Sequence, residues 1–175
     1  MIEIDNEITI GLFGTCGNSN WRDKFIKEYD KLNINYYNPQ VENWNPKLAV
    51  VEAEHLAKDQ IILFPITYET YGTGSLSELG FSILNAIKLD NKRNFVVMID
   101  DYLDDSLQNK ELISESLRSR KLVKQHLLKL NLSNIYLVNT LDEMLQVSII
   151  LYNIEKLKLP INKYNLTNYK GGDTK

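Results

Sequence analysis

Short apolar runs alternate along the chain with longer segments in which apolar residues recur at helical spacing. The short runs are rich in β-branched and aromatic residues and span residues 8–13, 34–37, 60–66, 94–99 and 134–138. Each run is separated from the next by enough residues for a helix. This alternation predicts an α/β fold with a five-stranded parallel sheet, right-handed crossovers and helices on both faces. Five strands favour the order 2-1-3-4-5.

Several helix starts are marked by residues whose side chains bind free backbone amides. Asn20, with Asp23 three positions later, resembles a capping pair at the start of the first helix. Asn45 followed by Pro46 suits the N-cap and first position of the second helix. Thr140 resembles a cap for the fifth helix. The third and fourth helices are predicted from their apolar spacing.

Composition and charge narrow the class of protein. The chain has 175 residues, 43% of them hydrophobic, which is enough to bury the core of one domain. We expect that domain over residues 1–160, followed by a C-terminal arm or flexible tail over residues 161–175. The net charge of −3 argues against a nucleic-acid polymer as partner, and no apolar run is long enough to span a membrane. The mixed charges of residues 110–129 predict a solvated helix face.

The location of the protein is inferred from its start and its cysteine content. The N-terminus lacks a basic segment followed by an apolar core, so we expect no secretory signal. Cys16 is the single cysteine, which excludes an internal disulfide. A cytoplasmic protein is therefore expected.

The segment 72–80 carries the most informative residues of the chain. It reads Gly-Thr-Gly-Ser-Leu-Ser-Glu-Leu-Gly and follows the third strand, so Glu78 should lie on the first turn of a helix at the carboxyl edge of the sheet. A carboxylate there can attack the anomeric carbon of a sugar, or stabilise an oxocarbenium-like transition state. Gly72 and Gly74 let the backbone approach a ligand closely, and Gly80 allows the helix to pack closely against the sheet or its neighbour. The structural alternative is a capping box formed by Ser75 and Glu78.

The loop between the first strand and the first helix is a second candidate site. Free amides at a helix N-terminus attract anions, and Thr15, Ser19 and Arg22 could add donors to a phosphate or a ribose. The spacing matches neither a dinucleotide-binding motif nor a P-loop, so a tight βα turn is an almost equally good interpretation. Cys16 could be a nucleophile near a helix start, but we expect it to be a small buried residue.

The loop after the second strand is rich in aromatic and amide residues. Asn38 and Glu42 could bind ribose hydroxyls or a base edge, and Trp44 could stack on a base. The alternative is that Trp44 covers the rim of the core and that Asn38 begins a turn. His55 and His126 lack metal-ligand spacing, so we expect neither a metal site nor a cofactor.

Residues 14–23, 37–44 and 72–80 together resemble the nucleoside 2-deoxyribosyltransferase superfamily, and especially its divergent branch of short deoxyribosyltransferase-like proteins. The resemblance implies a flavodoxin-like three-layer sandwich and a homo-oligomer. It implies that Glu78 attacks C1′ of a nucleoside or nucleotide, the base departs, and the sugar passes to another base or to water. The candidate substrate-binding residues are Gly14, Thr15, Cys16, Asn18, Ser19, Arg22, Asn38, Glu42, Trp44, Gly72, Thr73 and Ser75.

The sequence departs from that superfamily at two acidic positions. The characterised transferases carry one aspartate soon after the third strand and another shortly before the nucleophile, and segments 65–67 and 68–73 contain none. The leaving base then needs another proton donor, for which Glu69, Tyr71 and Glu42 are candidates. The departures also leave open a catalytically inactive nucleotide-binding sensor. A TIR-like NAD glycohydrolase and a scaffold protein, in which Glu78 only caps a helix, are the remaining alternatives.

Overall fold

Five parallel strands form one sheet in the order β2-β1-β3-β4-β5, as predicted. The computed structural model of the protein describes residues 8–17, 19–41, 45–88, 93–162 and 164. The strands are β1 (Ile10–Leu12), β2 (Tyr36–Tyr37), β3 (Ile61–Ile66), β4 (Asn94–Ile99) and β5 (Ile135–Val138). Ile10 pairs with Tyr36 on one side and with Ile61 on the other.

Five helices connect or follow the strands. They are α1 (Trp21–Leu32), α2 (Pro46–Lys58), α3 (Thr73–Lys88), α4 (Lys110–Leu130) and α5 (Leu141–Asn162). The order alternates strictly between strand and helix, which confirms the α/β fold expected from the sequence. No helix in the described part of the chain is long and apolar enough to cross a membrane. α5 continues past Pro160, so the predicted domain boundary at residue 160 falls inside this helix.

The helices cover both faces of the sheet and divide the core into two clusters. Side chains of α1 and α5 pack on one face, against Leu63 of β3 and Val96 of β4. Side chains of α2, α3 and α4 pack on the other face, against Phe64 of β3 and Val97 of β4. Neighbouring residues of each strand point to opposite faces, which explains why these central strands are continuous apolar runs. α2 and α3 therefore lie on the same face of the sheet.

The first two strands are shorter than the apolar runs predict. β1 ends at Leu12 because the chain turns two residues later at Gly14, whose φ is +95°. β2 begins only at Tyr36 because the amide of Ile34 donates to the carbonyl of Tyr29 at the end of α1. Local turns at these two ends thus outweigh the β propensity of the flanking residues.

Two of the predicted helix caps are present and a third is not. The Asn45 side chain accepts from the amide of Lys47 at 3.0 Å, and the Thr140 hydroxyl accepts from the amide of Glu143 at 3.1 Å. Both predictions are confirmed. The pair formed by Asn20 and Asp23 is wrong, because the Asn20 side chain makes no capping bond. Its backbone lies outside the extended region that an N-cap needs, at φ −105° and ψ 18°.

Candidate active site

A cleft of about 420 Å³ lies at the carboxyl edge of the sheet. The strand order reverses between β1 and β3, and the loops that follow these two strands form much of its wall. Open α/β sheets bind ligands at such a reversal. The lining comprises Phe13, Gly14, Cys16 and Gly17 after β1, Pro39 after β2, Glu52 of α2, residues 70–75, and Glu78 of α3.

Main chain packs tightly against main chain at the base of the cleft. The amide of Thr15 donates to the carbonyl of Pro65 at 2.9 Å. A Cβ on Gly14 would lie 2.5 Å from that same carbonyl oxygen, and the φ of Gly14 is +95°. Only glycine fits this position without strain. The loop after β1 is therefore fixed directly to β3.

Glu78 lies half-buried on the second turn of α3, rather than on the first turn as predicted. The helix begins at Thr73, and the carbonyl of Gly72 accepts its first bond, from the amide of Leu76 at 2.9 Å. Ser75 is consequently inside the helix and not at its N-cap. The capping-box interpretation of Ser75 and Glu78 is therefore wrong, and the position of Glu78 on the cleft wall has another cause than capping.

Glu52 is a cleft residue that sequence reasoning missed. It lies half-buried on α2 and lines the same cleft as Glu78. Leu48 and Leu56, one turn before and one turn after it, are also half-buried. Glu52 thus occupies a position on the inward stripe of α2 where an apolar residue is expected. This interruption of an apolar stripe is the feature of the sequence that could have identified it.

The two carboxyl groups influence each other. Burial raises the pKa of Glu78, and the negative charge of Glu52 raises it further, while Arg22 opposes the shift. Burial also raises the pKa of Glu52, again opposed by Arg22. The cleft therefore retains a carboxyl proton to a higher pH than an exposed glutamate would.

Arg22 stabilises the loop after β1 from beneath. Its side chain is buried, Nε donates to the carbonyl of Leu12 at 3.0 Å, and Nη1 donates to the carbonyl of Thr15 at 2.7 Å. Nη2 donates to Sγ of Cys16 at 3.6 Å. Arg22 does not line the cleft. Its positive charge lowers the pKa of the two glutamates from a buried position behind the loop.

Two further residues predicted to bind phosphate or ribose connect the loops around the cleft. The hydroxyl of Thr15 accepts from the amide of Thr67 at 2.9 Å. The hydroxyl of Ser19 donates to Oε1 of Glu69 at 3.1 Å and lies 3.4 Å from the hydroxyl of Thr67. Thr15 and Ser19 are buried and do not line the cleft. In this structure they join the loop after β1 to the loop after β3.

The environments of Cys16 and Gly80 differ from the predictions. Cys16 is exposed at the cleft, so the prediction of a small buried residue is wrong. The interior position is taken by Trp21 and Arg22, which both donate to the carbonyl of Thr15. Gly80 is exposed, and a Cβ there would meet no atom within 4 Å. The predicted close packing of α3 at Gly80 is therefore also wrong.

Arg120 of α4 is the second important residue that sequence reasoning missed. It is fully buried, although the mixed charges of this segment predict a solvated face. Nη1 donates to the carbonyls of Ile66 and Asp100, at 2.9 and 3.2 Å. Nη2 donates to the carbonyls of Thr67 and Thr70, at 2.9 and 2.7 Å. One guanidinium thus fixes the whole loop that leads from β3 to the cleft.

The remaining predicted site residues lie in or near the loop after β2. The side chain of Asn38 accepts from the amide of Gln40 at 3.0 Å, which is the predicted turn. Pro39 reaches the cleft. Asn18, Glu42 and Trp44 lie outside the described residues.

His55 has a structural environment. Its ring stacks on Tyr37 at 3.6 Å, and its Nδ1 lies 2.9 Å from Oδ1 of Asp59. Within the described ranges, no group of three or more histidine, cysteine, aspartate or glutamate side chains could bind a metal ion.

Comparisons with known proteins bear on the lineage of this site. A search of curated proteins finds no match. A protein-family model described as nucleoside 2-deoxyribosyltransferase like matches residues 7–102, more than half of the 175-residue chain. The matched part contains β1 to β4 and every residue of the cleft wall, including Glu52 and Glu78. The chain therefore belongs to the nucleoside 2-deoxyribosyltransferase-like family.

Proposed function

We propose that this protein cleaves the N-glycosidic bond of a nucleoside or nucleotide and transfers the sugar to another base or to water. The observation that carries the proposal is the position of Glu78, a half-buried carboxylate on the wall of the cleft where the strand order reverses. Membership of the family supports a nucleoside-type ligand as the substrate on which this carboxylate acts.

Glu78 acts on the anomeric carbon in this proposal. Its carboxylate attacks C1′ while the bond from C1′ to the base breaks, which gives a glycosyl ester and a free base. An acceptor base or water then attacks C1′ and releases Glu78. Two displacements at the same carbon retain the configuration of the sugar, as in other enzymes that pair two carboxyl groups.

The walls of the cleft suit a nucleoside. The half-buried Tyr71 offers aromatic surface to a base, whose flat face stacks readily on such a ring. Thr73 and Ser75 line the cleft at the N-terminus of α3, where free amides and hydroxyls can donate to sugar hydroxyls or a 5′-phosphate. Gly72 just before them has a φ of +67°, and a Cβ there would lie 2.8 Å from Ile66. The turn into α3 therefore requires glycine.

The test is chromatographic detection of free base. Wild type, Glu78→Gln and Glu54→Gln are incubated with nucleosides, deoxynucleosides, their 5′-monophosphates and NAD, with and without an acceptor base. We expect wild type to release base and Glu78→Gln to lose at least about 100-fold in rate, because an interaction with the transition state is removed. Glu54→Gln is the matched control, since Glu54 is an exposed acid on α2.

Each outcome has a defined meaning. Dependence on an acceptor base identifies a transferase, and its absence a hydrolase. Release of nicotinamide from NAD alone would support the glycohydrolase alternative. If wild type binds nucleotides in a thermal-shift assay and returns all of them intact, the protein is a binding module and the proposal is overturned.

A further inference from the structure

We propose that Glu52 is the catalytic acid that protonates the departing base, and the base that later deprotonates the acceptor. This inference rests on the proposed function, because it supplies the partner that Glu78 needs. An N-glycosidic bond to a neutral base breaks slowly unless the base nitrogen is protonated as it leaves. Residues 65–73, which lead from the end of β3 to the start of α3, contain no aspartate that could supply this proton.

The fold brings Glu52 and Glu78 together from two helices on the same face of the sheet. α2 and α3 both pack on the cluster that contains Phe64, and both glutamates line one cleft. Glu52 lies on α2 between inward-facing Leu48 and Leu56. Its backbone position is therefore set by a regular helix whose next turn packs on the core through Leu56. A carboxyl group positioned in this way is better ordered than one on a loop.

The other candidates for a proton donor within the described residues are less suitable. Glu69 accepts a bond from Ser19 and does not line the cleft. Asp100 accepts from the amide of Tyr68 at 3.0 Å and also lies outside the lining. Tyr71 lines the cleft, but a phenol is a much weaker acid than a carboxyl group. Among the described lining residues, Glu52 and Glu78 are the two carboxyl groups.

The charged and titratable groups around Glu52 come from several elements. They are Arg22 of α1, Tyr37 of β2 and Glu78 of α3, with the Cys16 thiol on the same cleft wall. The charge of Glu52 raises the pKa of Glu78, so ionisation of both carboxyl groups at once is disfavoured. Positive charge that develops at C1′ lies next to Glu78 and favours its ionised form. In the reaction proposed here Glu78 is therefore the carboxylate and Glu52 the carboxylic acid.

The reaction then balances in two steps. In the first step, the bond from C1′ to the base nitrogen breaks, its electron pair goes to the base, and the base takes the proton of Glu52 as Glu78 bonds to C1′. In the second step, the acceptor nitrogen or water bonds to C1′ and gives its proton to Glu52, while the electron pair of the ester bond returns to Glu78. The two carboxyl groups end in their starting states.

The experiment compares a base that needs a proton with one that does not. Guanine leaves guanosine or deoxyguanosine as an anion unless it is protonated. The N7-methyl derivatives of these nucleosides are cationic, and their base leaves as a neutral molecule. We expect Glu52→Gln to lose about 100-fold or more in kcat/KM on the neutral nucleosides and only about threefold on the cationic ones. Glu78→Gln should lose activity on both kinds of substrate. Glu54→Gln, which changes an exposed acid two residues from Glu52, should lose neither.

A pH profile extends the test to whichever nucleoside the wild type cleaves. The rate of wild type should fall on the alkaline side as the acid loses its proton, and that limb should disappear in Glu52→Gln. Glu52→Asp retains a carboxyl group and should recover part of the rate together with the alkaline limb. Circular dichroism and thermal unfolding establish that each variant is folded.

Three results would overturn the inference in distinguishable ways. An equal loss on neutral and cationic substrates, with the alkaline limb unchanged, would make Glu52 a structural residue. Full activity of Glu52→Gln would show that another group is the acid. If wild type releases no base from any substrate, the proposed function itself fails, and the assignment of Glu52 falls with it.

Discussion

Two glutamates in one partly buried cleft cost the protein stability. Each carboxylate loses hydration on burial, and Glu52 and Glu78 also repel each other when both are ionised. Apolar or amide side chains at these positions would avoid both effects. The presence of two glutamates instead is typical of a functional site, where residues needed for activity lower the stability of the fold.

Replacing either glutamate should therefore stabilise the protein near neutral pH. The folded-state pKa of each is raised, so the folded protein retains protons that the unfolded chain has already lost. The stabilisation from these protons is complete below the ordinary glutamate value of about 4.3 and is lost as the pH rises through the folded-state pKa. We expect Glu78→Gln to melt a few degrees above wild type at pH 8, and the difference to shrink at pH 4.

Thermal denaturation followed by circular dichroism across this pH range checks the prediction. Glu54→Gln is the control, because Glu54 is exposed and its replacement should leave the pH dependence unchanged. If Glu78→Gln raised the melting temperature equally at both pH values, ionisation of Glu78 would not be what destabilises the wild-type protein.

At the scale of elements, two buried arginines connect helices to the carboxyl ends of the strands. Arg22 of α1 binds the carbonyl of Leu12 at the end of β1. Arg120 of α4 binds the carbonyl of Ile66 at the end of β3. The carbonyl of Ile66 also accepts from the amide of Asp100 at 3.0 Å. Each arginine adds charge-assisted hydrogen bonds to backbone carbonyls at or just beyond a strand end, where the regular pairing of the sheet stops. The loops around the cleft are thus ordered by helices on opposite faces of the sheet.

Arg120→Gln should destabilise the protein strongly. The shorter amide cannot reach all four carbonyls, and unpaired buried carbonyls are costly, so we expect the free energy of unfolding to fall by about 2–4 kcal/mol. Urea denaturation measures this change. Arg118→Gln on the exposed side of the same helix should change the free energy of unfolding by less than about 0.5 kcal/mol. Similar effects of the two variants would contradict the bonding assigned to Arg120.

The regular elements were predictable and the residues that complete the site were not. The apolar periodicity predicted all five strands and all five helices, because the spacing of apolar residues depends on which face of an element is buried. Asn45 and Thr140 were predictable as caps, since a cap depends on local geometry. Arg120 was not, because its buried charge is stabilised by groups that are distant in the chain. Arg120 and the Thr67 carbonyl it binds are 53 residues apart. Glu52 is marked in the sequence only by its interruption of the apolar stripe of α2.

At the scale of the whole molecule, the outer face of α5 is apolar. Ile150, Ile154, Leu157 and Ile161 are 57, 41, 73 and 67% exposed, and their alternating spacing of four and three residues places them on one stripe. This spacing is the one that lets two helices pack side by side. It agrees with the homo-oligomer that the family resemblance implies.

We predict that α5 forms an interface between two copies of the chain. Leu157→Glu should convert the oligomer to a monomer, because it places a charge in the middle of the stripe. Light scattering coupled to size exclusion measures the mass. The control is Val50→Glu, at a residue of α2 that is 62% exposed. A wild-type monomer, or an oligomer that Leu157→Glu leaves intact, would contradict the prediction.

Gly14, Gly17, Gly72 and Gly74 all line the cleft, and this fact bears on how its specificity can evolve. Where walls are made of side chains, a single substitution reshapes a pocket and admits a new ligand. Where they are made of backbone, most substitutions either strain the turn or leave the wall unchanged. Relatives that act on different substrates should therefore differ in the lengths of the loops after β1 and β3 more than in the identities of the lining residues.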